Sequence, residues 1–229
     1  MTYQDSCARC GTCCLKGGPS LHLEDLELVR SQKIKKSDLV LFRQGEPMWD
    51  NVQNKIILLD QELIKVRSVS SKDNTCIFFQ PSRKSCTIYA YRPLQCRVLK
   101  CWDTRELEKI YDFERLNRSM LIKQGSAMAD LILEYEKKCS VTDAARLVEK
   151  LNKDNQKDTL QKINETLAYD TSFRLTLKEK ARISDRELDF YFGRPMAVIV
   201  QSLFAYFKKS PPIRDKRDGG AAIGCTRVE

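Results

Sequence analysis

The sequence predicts an α+β protein: a small cysteine-rich module with a few short strands, followed by an all-helical C-terminal region. Three observations predict it. Eight of the ten cysteines fall within the first 101 residues. The apolar residues of that stretch come in short β-favouring runs. From Asp103 onward apolar residues recur with the period of a helix. The chain accordingly divides near Trp102 into a cysteine module over 1–102, a helical region over 103–208 and a flexible tail over 209–229.

Residues 1–20 hold four cysteines, Gly11, Gly17, Gly18 and Pro19 without a periodic apolar face, and read as loop. Leu23, Leu26 and Val29 share one side of a short helix over Leu23–Ser31. A second short helix is expected over Ser37–Arg43, with Ser37 as its N-cap. Lys55–Asp60 and Glu62–Val69 are apolar runs that form a hairpin or two short strands. Thr75–Gln80 is another strand candidate, and 81–85 a turn. Ile88–Tyr91 is a helical turn ended by Arg92-Pro93, because the residue before a proline avoids the α region. Beyond Asp103, helices are expected over Glu106–Arg118, Leu121–Lys137 (weakened by Gly125), Val141–Asn152 (opened by Ser140 and Asp143), Lys157–Leu167 and Thr171–Ala181. Ser184-Asp185-Arg186-Glu187 is a capping box that opens a helix to about Phe192. Gly193 and Pro195 close it, and Met196–Lys208 is the last and most apolar helix.

Hydrophobic residues at 42% and charged residues at 31% suit a globular chain rather than a disordered one. No uninterrupted apolar run exceeds five residues, far short of the roughly 20 of a membrane-spanning helix. MTYQDSCARC shows no basic n-region and no apolar h-region, so no signal peptide is predicted and the expected location is cytoplasmic. The net charge of +9 is unevenly spread. Residues 1–101 carry 16 Lys+Arg against 10 Asp+Glu, and residues 102–229 carry 24 against 21. The basic surplus therefore lies with the cysteines, where bound thiolates would offset it. No stretch interleaves aromatic and basic residues as a single-strand binder does, so no nucleic-acid partner is expected, and no membrane.

Cys7, Cys10, Cys13, Cys14, Cys76, Cys86, Cys96 and Cys101 form the constellation; Cys139 and Cys225 stand apart. In a reducing compartment such clustering points to metal rather than to disulfides. A Cys-x-x-Cys step is a tight turn that aims two sulfurs at one point, and Gly11 permits its backbone. Backbone N–H groups of the turn then reach the sulfurs. Zinc takes four ligands, with sulfurs about 2.3 Å away, and iron–sulfur clusters take four thiolates. Side chains of adjacent Cys13 and Cys14 tend to diverge, which suits two metals or two irons of one cluster. Zinc and an iron–sulfur cluster both stay open, the latter slightly preferred.

Cys7-x2-Cys10-Gly11-x-Cys13-Cys14, then Cys76-Ile77-Phe78-Phe79, then Cys86-Thr87-Ile88-Tyr89-x2-Arg92-Pro93-Leu94-Gln95-Cys96-Arg97 resembles the CxxCxxCC, or YkgJ-like, cysteine-cluster family. Its members are described as zinc- or iron-chelating. Leu21–Leu26 resembles the apolar-x-x-Asp segment that the family places after its first cluster. The resemblance covers residues 7–102 and implies metal binding. The family includes flagellin lysine methylase-like proteins, for which a 4Fe-4S type of centre is the implied cofactor.

Around the cysteines, Arg92 and Arg97 are placed to neutralise a cluster's charge or to pair with Asp25. Pro93 fixes the turn that presents Cys96, Tyr89 packs or hydrogen-bonds to backbone, and Trp102 covers the site. His22, the single histidine, is read as an ordinary residue beside the site, since thiols suffice. The nine glycines form no G-x-G-x-x-G and no Walker A loop. No Cys-x3-Cys-x2-Cys of the radical S-adenosylmethionine type occurs. Three functions remain: a metal-binding protein whose helical part docks a protein partner, an iron–sulfur redox or group-transfer enzyme, and a metal storage or delivery protein.

Overall fold

The computed structural model describes residues 7, 9–50, 52–70, 72–100, 102–154 and 156–209. A single 3-10 turn at Leu23–Asp25 runs into α1 (Leu26–Arg30). Then follow β1 (Leu39–Phe42), β2 (Pro47–Asp50), β3 (Lys55–Leu58), β4 (Leu63–Val66), β5 (Phe79–Gln80) and β6 (Ser85–Cys86). After a 3-10 turn at Tyr89–Tyr91 the rest is helical: α2 (Leu94–Val98), α3 (Arg105–Ile110), α4 (Ala127–Lys138), α5 (Val141–Lys153), α6 (Lys157–Ala181), α7 (Asp185–Tyr191) and α8 (Met196–Lys209). The strands form three antiparallel pairs, β1 with β4, β2 with β3, and β5 with β6. The fold is α+β, as the sequence predicts.

The helix expected over Ser37–Arg43 is instead a strand. Leu39 and Leu41 are buried while Val40 and Phe42 are half-buried, the alternation of a strand with one covered face. Asp38 uses its carboxylate on the Lys35 N–H at 2.9 Å, so the polar pair before the run caps one 3-10 turn. β3 and β4 are both strands but do not pair with each other. β4 pairs with β1, Leu39 facing Val66 and Phe42 facing Leu63. β3 pairs with β2, a strand that the sequence reading does not include. Of Thr75–Gln80 only Phe79–Gln80 joins a ladder, while Cys76 bridges to Ser68.

The first predicted long helix stops at Ile110, because the chain bends back and the Leu116 N–H donates to the Leu21 carbonyl at 3.0 Å. That bend buries Leu116. α4 starts only after Gly125, which sits at φ +67, and Ser126 accepts from the Ala129 N–H to cap it. The two helices expected over 157–167 and 171–181 are one helix. Asp170, in the expected gap, is a buried helical residue that accepts from the Tyr135 hydroxyl (2.6 Å), Arg174 Nε (2.7 Å) and the Met196 N–H (2.8 Å). The capping box at Ser184 forms as predicted, with Ser184 and Glu187 exchanging side-chain-to-backbone bonds.

Two hydrophobic clusters make the core. One joins α4 to α8 around Tyr135, Val148, Phe192, Met196 and Leu203. The other gathers Leu21, Leu39, Ile64, Cys76 and Phe79 with Leu116 and Phe190, which come from beyond Trp102. Ile122 and Tyr191 touch both. Arg67, just after β4, donates to Asp189 of α7 at 2.9 Å and to the carbonyls of Leu39 and Arg186. Among the described residues, no helix is long and apolar enough to cross a membrane. Residues 210–229, with Cys225 and nearly all of the predicted tail, lie outside the described residues, as does Cys101.

Candidate metal centre

The described cysteines of the constellation lie on four segments. The first segment is the glycine-bearing turn. Gly11 adopts φ +85, a value that favours glycine. A Cβ there would lie 2.2 Å from the Phe79 ring, so this glycine also admits close packing under β5. The Arg9 N–H donates to Cys7 Sγ at 3.4 Å, the turn-to-sulfur bond that the spacing predicts. A single 3-10 turn at Cys14–Lys16 follows, with Cys13 at its start.

The second segment carries Cys76, whose N–H donates to the Cys14 carbonyl at 2.8 Å. That bond fastens the chain just before β5 to the first turn. Cys86 closes β6 opposite Phe79. Cys96 sits in α2, a helix of a little over one turn that is held at its start by Asp25. The Asp25 carboxylate accepts from the Leu94 N–H at 2.8 Å and from the His22 N–H at 3.0 Å. Gln95 adds a second tie, accepting from the Ser20 N–H at 2.9 Å. The apolar-x-x-Asp segment thus positions Cys96 by capping its helix.

Burial and charge describe what these thiols can do. Cys76 is buried, Cys13, Cys14, Cys86 and Cys96 are half-buried, and Cys7 and Cys10 are exposed. Burial pushes the thiols of Cys76, Cys86 and Cys96 up, and each is raised further by neighbouring thiolates of the same set. Cys13 and Cys14 lie 3.9 Å apart, sulfur to sulfur. The contact with Cys14 draws the Cys13 thiol down to about 6, and the Cys14 thiol is raised. The Thr12 hydroxyl holds Cys10 below the ordinary thiol value. Cys76, Cys86 and Cys96 resist ionising together, and a bound cation would relieve that resistance. Among the described residues, no three Cys, His, Asp or Glu side chains yet converge on a single ion position. The donor chemistry fits a thiolate-bound metal, and Cys101 lies outside the described residues.

The adjacent cysteines are a correction to the expectation that their side chains diverge. The 3-10 turn starting at Cys14 brings the sulfurs to 3.9 Å, close to the edge of about 3.8 Å that a zinc tetrahedron with bonds of about 2.3 Å requires. Arg97 pairs with Glu24 at 2.5 Å and not with Asp25. Arg92 lies over the Tyr89 ring, 3.8 Å from its centroid, and its charge favours the thiolate forms of Cys13, Cys86 and Cys96. Arg9 lies over the same ring at 4.3 Å; nothing in the cysteine spacing signals it. His22 is buried with both ring nitrogens engaged, Nδ1 with the Phe113 carbonyl at 2.8 Å and Nε2 with the Gln95 amide at 3.1 Å. It is a structural residue beside the site. Trp102 is 42% exposed.

A family model matches residues 6–166: CxxCxxCC, described as a putative zinc- or iron-chelating domain. The match reaches past Trp102 into α6, further than the cysteine motifs themselves. No curated protein and no solved structure matches the chain.

Proposed function

The chain belongs to the CxxCxxCC family, and on that premise we propose that it holds a polynuclear metal–thiolate centre, an iron–sulfur cluster in the first instance. Cys7, Cys10, Cys13, Cys14, Cys76, Cys86, Cys96 and Cys101 supply the thiolates. The observation that supports the reading is the number of cysteines: eight lie within the first 101 residues, and a mononuclear zinc site needs only four ligands. A bound cluster would supply one-electron chemistry. The protein's part is to bury Cys76 and half-bury Cys13, Cys14, Cys86 and Cys96, to fasten α2 through Asp25 and to set positive charge beside them.

A second reading is a closed zinc site, favoured by the 3.9 Å separation of Cys13 and Cys14. Anaerobic purification followed by metal and sulfide analysis separates the two. Iron with equal acid-labile sulfide and broad visible absorption is the expected result. A colourless protein loaded with zinc establishes the second reading. A chain that takes up neither metal overturns both. Within either reading, Cys10→Ser and Cys86→Ser are expected to lose metal while Cys225→Ser retains it. Equal metal content in all three variants would remove the assignment of ligands.

A further inference from the structure

We propose that Arg92, held over the Tyr89 ring with Arg9 on that same ring, is the charge partner of the metal–thiolate centre, and that its buried Nε–H is kept for a metal-bound sulfur. The inference rests on the metal-binding reading and adds to it the residues that balance the centre's charge.

Three observations meet here. First, two guanidinium groups lie over one ring, 3.8 Å and 4.3 Å from its centroid. Like charges repel, and cation–π attraction alone is modest. Second, among the described residues neither Arg9 nor Arg92 forms an ion pair with a carboxylate, whereas Arg97, one residue past Cys96, is committed to Glu24. Third, the Arg92 Nε is buried with no acceptor among the described residues. A buried N–H without a partner is costly and marks a place where an acceptor is missing. Chemistry supplies the acceptor. Four thiolates around a dication leave about two negative charges, which two guanidinium groups match. Sulfurs bound to metal are acceptors, and N–H donors beside them tune the centre. Tyr89 is then a positioning residue: its ring orients the Arg92 fork.

The test uses the full-length chain and zinc alone, in competition with a chromophoric chelator. The variants are Arg92→Gln, Arg92→Lys, Tyr89→Phe, Tyr89→Leu and Arg9→Gln. Arg92→Gln is expected to weaken zinc binding by about 10–100-fold, the usual effect of removing a partner that supports a metal ligand, with the number of zinc ions per chain unchanged. Arg92→Lys is expected to remain weakened, because a lysine ammonium lacks the planar fork and its Nε–H. Tyr89→Phe keeps the ring and is expected to bind as the wild type does, whereas Tyr89→Leu follows Arg92→Gln. Arg9→Gln is expected to show a smaller loss, since Arg9 is exposed. The melting temperature of the metal-free chain should be the same for Arg9→Gln, Tyr89→Phe and wild type, which separates electrostatic from structural effects. Should Arg92→Gln fail to fold, Arg92→Lys and Tyr89→Leu carry the test. Wild-type affinity in both Arg92→Lys and Tyr89→Leu overturns the proposal, as does equal loss in Tyr89→Phe and Tyr89→Leu. A wild-type chain that binds neither zinc nor iron overturns the metal-binding reading itself, a distinct result.

Discussion

Gly11, Gly18 and Gly125 grade what a single added methyl group meets. At Gly125 an added Cβ meets nothing within 4 Å, and only its φ of +67 is strained. Gly125→Ala is therefore expected to cost about 1–2 kcal/mol, the penalty of a left-handed residue with a side chain, and to leave metal content intact. At Gly18 the Cβ would lie 2.2 Å from the Val66 carbonyl oxygen, and at Gly11 2.2 Å from the Phe79 ring. Both substitutions are expected to cost more than Gly125→Ala in urea melts. Gly11→Ala should also lose metal, because Phe79 faces Cys86 across the β5–β6 ladder. Equal melts for the three variants would contradict the packing. Asp25 gives a pH prediction. Burial raises its carboxyl, against the pull of the two N–H bonds it accepts. The folded chain therefore keeps this proton above the pH at which the unfolded chain, with an ordinary value of about 3.9, gives it up. Between those values the unfolded state binds fewer protons, so stability falls as pH rises through the window. Asp25→Asn should be less stable overall, with two N–H donors and one acceptor oxygen, and should show a shallower fall over that window. Chemical denaturation at stepped pH reads both. At this scale the sequence shows the dense cysteine spacing, a pattern with few other uses, while the apolar-x-x-Asp segment stands out only through the family resemblance. The Arg9–Tyr89–Arg92 stack was only partly legible, since Arg9 is 80 residues from Tyr89 and no local pattern links them.

Elements whose ends are chemically marked were readable, and elements decided by burial were not. Ser184 and Glu187 announce α7 because the capping box satisfies orphan N–H groups locally, without help from the rest of the fold. Leu39-Val40-Leu41-Phe42 is four apolar residues after a Ser-Asp pair, which fits a capped helix as well as a strand. Pairing with Leu63–Val66 decides it, and that partner lies more than twenty residues on. The same limit merges 157–181 into a single helix. A polar stretch around Asp170 looks like a break until the buried bonds from Tyr135, Arg174 and Met196 are seen. The cap at α7 makes an element-scale prediction. α7 carries Asp189, which accepts from Arg67 at 2.9 Å, so its first turn supports the contact with β1 and β4. Ser184→Ala is expected to lower stability by about 1 kcal/mol, with metal content unchanged, as read by thermal melts of the metal-free and loaded chain. A drop in metal content would mean that α7 reaches the centre more directly than its packing indicates.

At the scale of the whole molecule the cysteine-bearing part borrows its core from the helical part. Leu116 and Phe190 are buried with Leu21, Leu39 and Cys76. Arg118, after the bend, donates to Glu136 of α4 at 2.9 Å and to the Tyr191 carbonyl at 2.6 Å. Arg43, following β1, is buried and donates to the Cys139 carbonyl at 2.9 Å and to Glu136 at 3.2 Å. A chain ending at Trp102 would leave the Arg43 and Arg67 guanidinium groups without these acceptors and would open the Leu21–Leu39 face to water. Removing one partner of a buried charged pair typically costs about 3–5 kcal/mol, and a small module has little stability to spare. The 1–102 fragment is therefore expected to bind metal only weakly and to lack a cooperative melt, whereas the full chain unfolds in one transition that metal shifts upward. A Phe190→Ala chain should act in the same direction as truncation. It is expected to lose about 3–5 kcal/mol from a site more than ninety residues from Cys96 in sequence, and to release metal at lower temperature. If the fragment instead melts cooperatively and holds metal as tightly as the full chain, the two parts are energetically independent. The helical part would then act on the centre through something other than shared packing.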